Sequence, residues 1–442
     1  APVEAPDEPA LAAEPSYVVL TWKKTQQDAD WKRVTQALVD KHRALLIVCD
    51  ESLDEAKTAL AKKMPDYVAV VGMPEQVPGA MINKFHQLMR DLDGDPYTDA
   101  RWGVITGRSA DAAMKLVEQK EPLVIQRTVS GTRIASQMAE EVQSFDELKA
   151  RGHAIKKAGA KEVELPLDDD DSIAELAEAF ADPATQLIIT SGHATTRDWQ
   201  PGYSYKNGSF HCRDGVIYGL DLQKQEHPVQ SDTPKVYLPC GNCLMGLVDG
   251  PDAMALAWME SAGVRQMAGY VEPTWYGYMG WGLMDYFVEQ PGRYTFAEAF
   301  LANQLALVHR LEAVKDLSAM DRKGLLFDRD MVSFYGDPAW SAKMKEMPTP
   351  YSQTFKQQAD EISLEISPLQ GVTSYEPVNT NGSQRGGRPF IAFLNTRIDP
   401  AEWQLSEGTE SGAVLADNFI LVPRPATGTR ARTMKLVWKR KE

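Results

Sequence analysis

From Ser16 onward the chain alternates short apolar runs with stretches of helical spacing. Tyr17–Trp22 (YVVLTW), Ala44–Asp50 (ALLIVCD) and Tyr67–Gly72 (YVAVVG) read as buried strands. Between them, the stretch 28–42 places Trp31, Val34, Leu38 and Val39 on one helical face, and 54–64 reads as a second helix. Strand, helix, strand, helix, strand in so short a span predicts a parallel α/β unit. Arg101–Arg108 adds a strand and 109–120 a helix. The alternation then resumes. Pro122–Thr128, Gln186–His193, Lys235–Cys243 and 264–271 read as strands; Ile134–Arg151, Ser172–Ala181 and 252–263 read as helices.

The pattern changes after Trp340. A proline-containing linker, MPTPYSQ, leads into ISLEIS, PFIAFLNTRI, NFILVPRP and TMKLVWKR, which alternate apolar and polar positions between Gly, Asn and Ser turns. That predicts a small β-sandwich. The expected organisation is a lead over 1–15, an α/β subdomain A over 16–121, a second subdomain B over 122–345 carrying the chemistry, and the β-unit over 350–442.

Bulk properties narrow the function. A chain of 442 residues exceeds one ordinary core. No run of eighteen apolar residues occurs, so no membrane span is expected. A net charge of -15 disfavours nucleic acid as a partner. Four cysteines are too few for a disulfide framework. The opening APVEAPDEPALAAEP, rich in Pro, Ala and Glu, reads as a flexible lead left after removal of a signal peptide, which predicts a secreted or periplasmic protein.

The candidate chemistry lies where parallel strands end. LIIT runs into Ser191-Gly192-His193, and KVYL runs into Pro239-Cys240-Gly241-Asn242-Cys243. A thiol and an imidazole on neighbouring strand ends can form a nucleophile–base pair. The same residues permit a zinc reading: His193 with Cys240 and Cys243, or His211 and Cys212 with those cysteines. Zinc deaminases, however, place Glu two positions after the His, where Thr195 stands here.

Around these residues the sequence resembles the gingipain-like cysteine peptidases. SGHATTRDW is similar to the family's histidine motif, with Trp199 six places after His193. PKVYLPCGNCLMG resembles its nucleophile strand, with Gly246 three places after Cys243. VEPTWYG is similar to the segment whose Trp, here Trp275, walls the primary specificity pocket. The Gly107-Arg108 strand end and FYGDPAW (Phe334–Trp340) also match in order and spacing.

The resemblance implies a caspase-like parallel-sheet unit of two subdomains followed by an immunoglobulin-like sandwich. It implies an endopeptidase acting on protein or peptide substrates, with Cys243 as nucleophile, His193 as base, and the amides of Ala194 and Cys243 as oxyanion hole. Gly192, Asn242, Trp199 and Trp275 would form the substrate pocket. No cofactor is required; a structural calcium ion at Asp91, Asp93 and Asp95 is allowed, a solvated acidic turn being the plainer reading. Two departures stand out. Ala194 replaces the glycine that follows the family's histidine, and this motivates an alternative, a non-catalytic secreted binding protein on the same fold. The stretch matching the family's specificity loop carries Arg127 and Arg133 and no acid before Glu140.

Overall fold

The computed structural model describes residues 16–202, 204–380 and 384–441, and the expected lead over 1–15 lies outside them. A single twelve-stranded sheet organises the larger unit, which comprises 17–349 and 376–388. Its strands in chain order are β1 (Tyr17–Trp22), β2 (Leu45–Cys49), β3 (Tyr67–Val71), β4 (Arg101–Ile105), β5 (Arg127–Ser130), β6 (Glu141–Phe145), β7 (His153–Lys156), β8 (Val163–Glu164), β9 (Leu187–Thr190), β10 (Lys235–Pro239), β11 (Val264–Tyr270) and β12 (Val332–Tyr335). Across the sheet they run β2-β1-β3-β4-β12-β11-β10-β9-β5-β6-β7-β8. Every residue of β1 is buried, as expected of a strand covered by helices on both faces. β2 is equally apolar but forms the edge, leaving Leu45 and Val48 exposed.

The two halves predicted from the pattern meet at β12. It pairs parallel with β4 through Tyr335 and Val104, and antiparallel with β11. The segment after β12 reaches Tyr17 at the start of β1, and Gly79, after β3, packs beside Val271 just past the end of β11. Helices follow their expected signals. Ala29–His42 starts at Asp28, whose carboxylate accepts the Asp30 and Trp31 amides, and it buries Trp31, Val34 and Leu38.

Two expectations are corrected. The stretch 134–151 is not a helix: it holds a short turn and then β6, which pairs in parallel register with β5 and buries Val142 and Phe145. Extending the sheet beyond β5 satisfies backbone groups that a helix there would leave open. Pro122–Thr128 is two strands. Leu123–Ile125 pairs outside the main sheet with Ala342–Met344, and β5 begins at Arg127. The stretch 193–229, for which the sequence carried no expectation, forms a five-stranded antiparallel meander inserted after β9. Its Trp199 and Phe210 stack with ring centres 5.0 Å apart and are closed off by Phe180.

The smaller unit comprises 350–375 and 389–441. Two antiparallel sheets of four and three strands share one core of Tyr351, Ile362, Leu364, Ile366, Phe390, Ile420, Val422 and Trp438. The expected β-unit over 350–442 is thus interrupted, since 376–388 belongs to the larger unit.

Candidate active site

β9 and β10 are parallel neighbours, with Thr190 level with Pro239. Both chains leave the sheet at the same edge, one into His193 and the other into Cys243. The two side chains line one cavity of about 610 Å³. Cys243 is half-buried, its Sγ 3.6 Å from the Thr274 carbonyl oxygen, and His193 is exposed.

The turn that presents Cys243 is tight. Leu244, directly after it, has φ 57°, an uncommon conformation for a branched side chain. Gly246 then meets the sheet: its amide donates to the Tyr270 carbonyl at 2.8 Å, and Tyr335 donates its hydroxyl to the Gly246 carbonyl at 2.8 Å. A Cβ on Gly246 would stand 2.0 Å from the Gly269 carbonyl oxygen. The histidine loop needs its glycine at 192, where φ is 105°, and not at 194: Ala194 has an ordinary negative φ. An alanine therefore fits the position without strain.

Of the four pocket residues expected from sequence, Gly192 and Trp275 line the cavity, and Trp275 is 46% exposed on its wall. Asn242 and Trp199 do not. Both are wholly buried behind the cavity, Trp199 because its indole packs on Phe210 and donates to the Ser191 carbonyl at 2.7 Å. The remaining wall includes Thr132, Asp146, Glu147 and Leu148, which the sequence did not single out, together with Arg133 and Trp281. Asp146 and Glu147 follow β6 directly, so reading 134–151 as a helix hid them; the alternation of EVQSF was the available signal. Burial raises the Glu147 pKa, and the neighbouring Asp146 charge adds to this against hydrogen bonds from Thr132 and Ser191. Thr132 donates to Glu147 at 2.8 Å, and Arg133 stands 3.7 Å from the Asp146 carboxylate. Arg127 faces elsewhere, paired with Asp182 at 2.9 Å.

The other three thiols differ from Cys243 in setting. Cys240 is fully buried, which pushes its pKa up. Burial also raises Cys49 and Cys212 to about 11. The zinc reading is not supported by the geometry. His211 Nε2 lies 2.8 Å from the Ser209 hydroxyl, and Cys212 Sγ 3.2 Å from the Asp252 carbonyl oxygen. Among the described residues, no ligand group of three includes His193, His211 or a cysteine. In the acidic turn, Asp91 pairs with Lys57 at 3.3 Å, while Asp93 and Asp95 accept the amides of Asp95 and Tyr97.

No family model matches the sequence, and no curated protein matches it. Solved structures do. The complex of the pro- and mature domains of RgpB from Porphyromonas gingivalis superposes with a TM-score of 0.50 at 11% identity, covering 93% of each chain. The Arg-specific cysteine proteinase gingipain R gives 0.48 at 10% identity, over 97% of this chain and 98% of that one. At such identity the likeness is one of fold: the chain has a gingipain-like peptidase fold. No helix among the described residues is long and apolar enough to cross a membrane.

Proposed function

We propose that the chain is an exported cysteine endopeptidase in which Cys243 attacks the peptide carbonyl and His193 serves as its acid–base partner. The observation that carries this reading is the delivery of one thiol and one imidazole into one cavity by level, adjacent strand ends. The thiolate forms the bond to the substrate carbonyl carbon, and the imidazolium returns its proton to the leaving amine. Water, deprotonated by the imidazole, then hydrolyses the thioester and restores the thiol. The amides of Ala194 and Cys243 are assigned to the oxyanion, where one donor contributes about 3 kcal/mol in comparable sites. Trp275 and Trp281 offer flat apolar walls for the side chain preceding the cleaved bond. Calcium at Asp93 and Asp95, and an immunoglobulin-like assignment for the two-sheet unit, belong to the same reading.

The test is alkylation of the native protein with limiting iodoacetamide near neutral pH, mapped by mass spectrometry, for wild type and His193→Ala. Cys243 is expected to label selectively, and its rate to fall about tenfold or more without His193. Labelling of Cys243 no faster than Cys212, or unaffected by His193, overturns the assignment and leaves a binding protein on this fold.

A further inference from the structure

The loop carrying His193 has no secondary structure of its own between Thr190 and His193, yet every carbonyl along it is held by a different donor. The Cys240 amide donates to the Thr190 carbonyl at 2.9 Å. The Trp199 indole holds the Ser191 carbonyl at 2.7 Å. The Asn242 side-chain amide donates to the Gly192 carbonyl at 3.1 Å. The last of these differs in kind. Gly192 directly precedes His193, and Asn242 directly precedes Cys243, so one side chain spans the two peptides that aim the two reactive groups.

Asn242 is itself fixed at its other end. Thr190 donates its hydroxyl to Asn242 Oδ1 at 2.7 Å and lies 2.9 Å from the Tyr237 hydroxyl. All three side chains are completely buried. A carboxamide is suited to this place because it offers an acceptor to Thr190 and a donor to Gly192 on two separate atoms; a carboxylate or aliphatic side chain lacks the donor, and a hydroxyl carries both roles on a single oxygen. A buried, fully satisfied polar chain of this sort fixes a geometry rather than merely adding stability.

We propose that Asn242 is a positioning residue that sets the approach of His193 to Cys243, and that it takes no contact with substrate. This inference rests on the assignment of the Cys243–His193 pair. It accounts for a polar residue wholly buried beside a reactive thiol, and it replaces the expected placement of Asn242 in the pocket wall.

The experiment measures the rate of Cys243 alkylation against pH for wild type, His193→Ala, Asn242→Ala, Asn242→Asp, Thr190→Val and Thr190→Ser. Protection of the buried Cys49 and Cys240 from label reports that each variant is folded. Asn242→Ala and Asn242→Asp are expected to lose roughly tenfold or more of the Cys243 rate near neutral pH, as small misplacements of reacting groups do. Their pH profiles should move toward that of His193→Ala. Thr190→Val, which frees the carboxamide at its far end, should move the same way, and Thr190→Ser, which keeps the hydroxyl, should restore the wild-type profile. A folded Asn242→Ala with the wild-type profile overturns the proposal. Should Asn242→Ala label at Cys49 and Cys240, Thr190→Val is read in its place, and a wild-type profile there overturns it equally. Identical profiles for wild type and His193→Ala would instead remove the catalytic pair itself, an outcome distinct from failure of the Asn242 role.

Discussion

Gly246 shows how one missing Cβ shapes the site. Its backbone lies against Gly269 of β11, and a methyl group would need space already filled by a carbonyl oxygen 2.0 Å away. Backbone cannot yield as a flexible side chain does, so Gly246→Ala should cost about 3 kcal/mol, read as a lower urea midpoint at unchanged slope. The same change should slow Cys243 labelling, because the turn through Leu244 would leave its seat on the sheet. Gly250, four residues on, has open space where its Cβ would be. Gly250→Ala should therefore alter stability by no more than about 0.5 kcal/mol. At this scale the sequence spoke clearly where spacing was fixed by strands. Two apolar runs, one ending at His193 and the other at Cys240 or Cys243, marked the candidates, and the family resemblance selected Cys243. It was silent where the partner is remote in sequence. Nothing local distinguishes the buried amide of Asn242 from a pocket-facing one, since its partner Gly192 lies fifty residues earlier.

Among the elements, the strand end at Gly336-Asp337-Pro338 does more than close the larger unit. Asp337 is fully buried, and its carboxylate accepts the Tyr17 hydroxyl at 2.9 Å and Lys41 Nζ at 2.8 Å, with His42 Nε2 at 2.7 Å. It thereby joins the segment after β12 to β1 and the helix Ala29–His42. The motif was legible in sequence as a signature, but its role was not, because each partner lies about three hundred residues away. Helix–strand assignment failed for a related reason at β6. Val142 and Phe145 suit either a helix face or a strand, and pairing with β5 decides. Burial alone would raise the Asp337 pKa, but the His42 hydrogen bond and the Lys41 and His42 charges bring it from 3.8 down to about 2. Between those values the unfolded chain binds the proton more readily than the folded one. The stabilisation from Asp337 is therefore complete above about pH 4 and is lost as pH falls toward 2. Urea midpoints measured from pH 5 downward should fall less steeply for Asp337→Asn than for wild type. Asp337→Ala, which strands Lys41 and His42, should cost about 3–5 kcal/mol near neutral pH.

For the molecule as a whole, the boundary of the larger unit does not follow the chain. The segment 376–388 stands in sequence between strands of the smaller unit, yet it supplies two fully or nearly fully buried arginines to the larger one. Arg385 Nε lies 2.8 Å from Asp285 and its guanidinium also pairs with Glu289; Arg388 donates to the Tyr278 carbonyl at 2.9 Å, its guanidinium 3.4 Å over the Tyr278 ring. Asp285 lies in, and Glu289 just beyond, the helix Tyr278–Phe287, whose Trp281 walls the cavity and lies 5.6 Å from the Arg385 guanidinium. Composition gave no hint of this, because GSQRGGRP reads as a loop, and only the folded chain shows what its arginines meet. A chain ended at Thr349 would leave Asp285 and Glu289 without their cations, a loss that costs several kcal/mol per broken pair. Such a truncation is expected to fail to fold, even though every strand of the main sheet is present. Arg385→Ala should lower stability by about 3–5 kcal/mol, and Arg385→Lys should recover little, since an ammonium cannot span both carboxylates as the planar guanidinium does. With the helix loosened, Trp281 loses its support before Cys243 or His193 moves. If Arg385→Lys remains folded, peptide hydrolysis should show KM rising more than kcat falls, the signature of a pocket wall displaced beside an intact reacting pair.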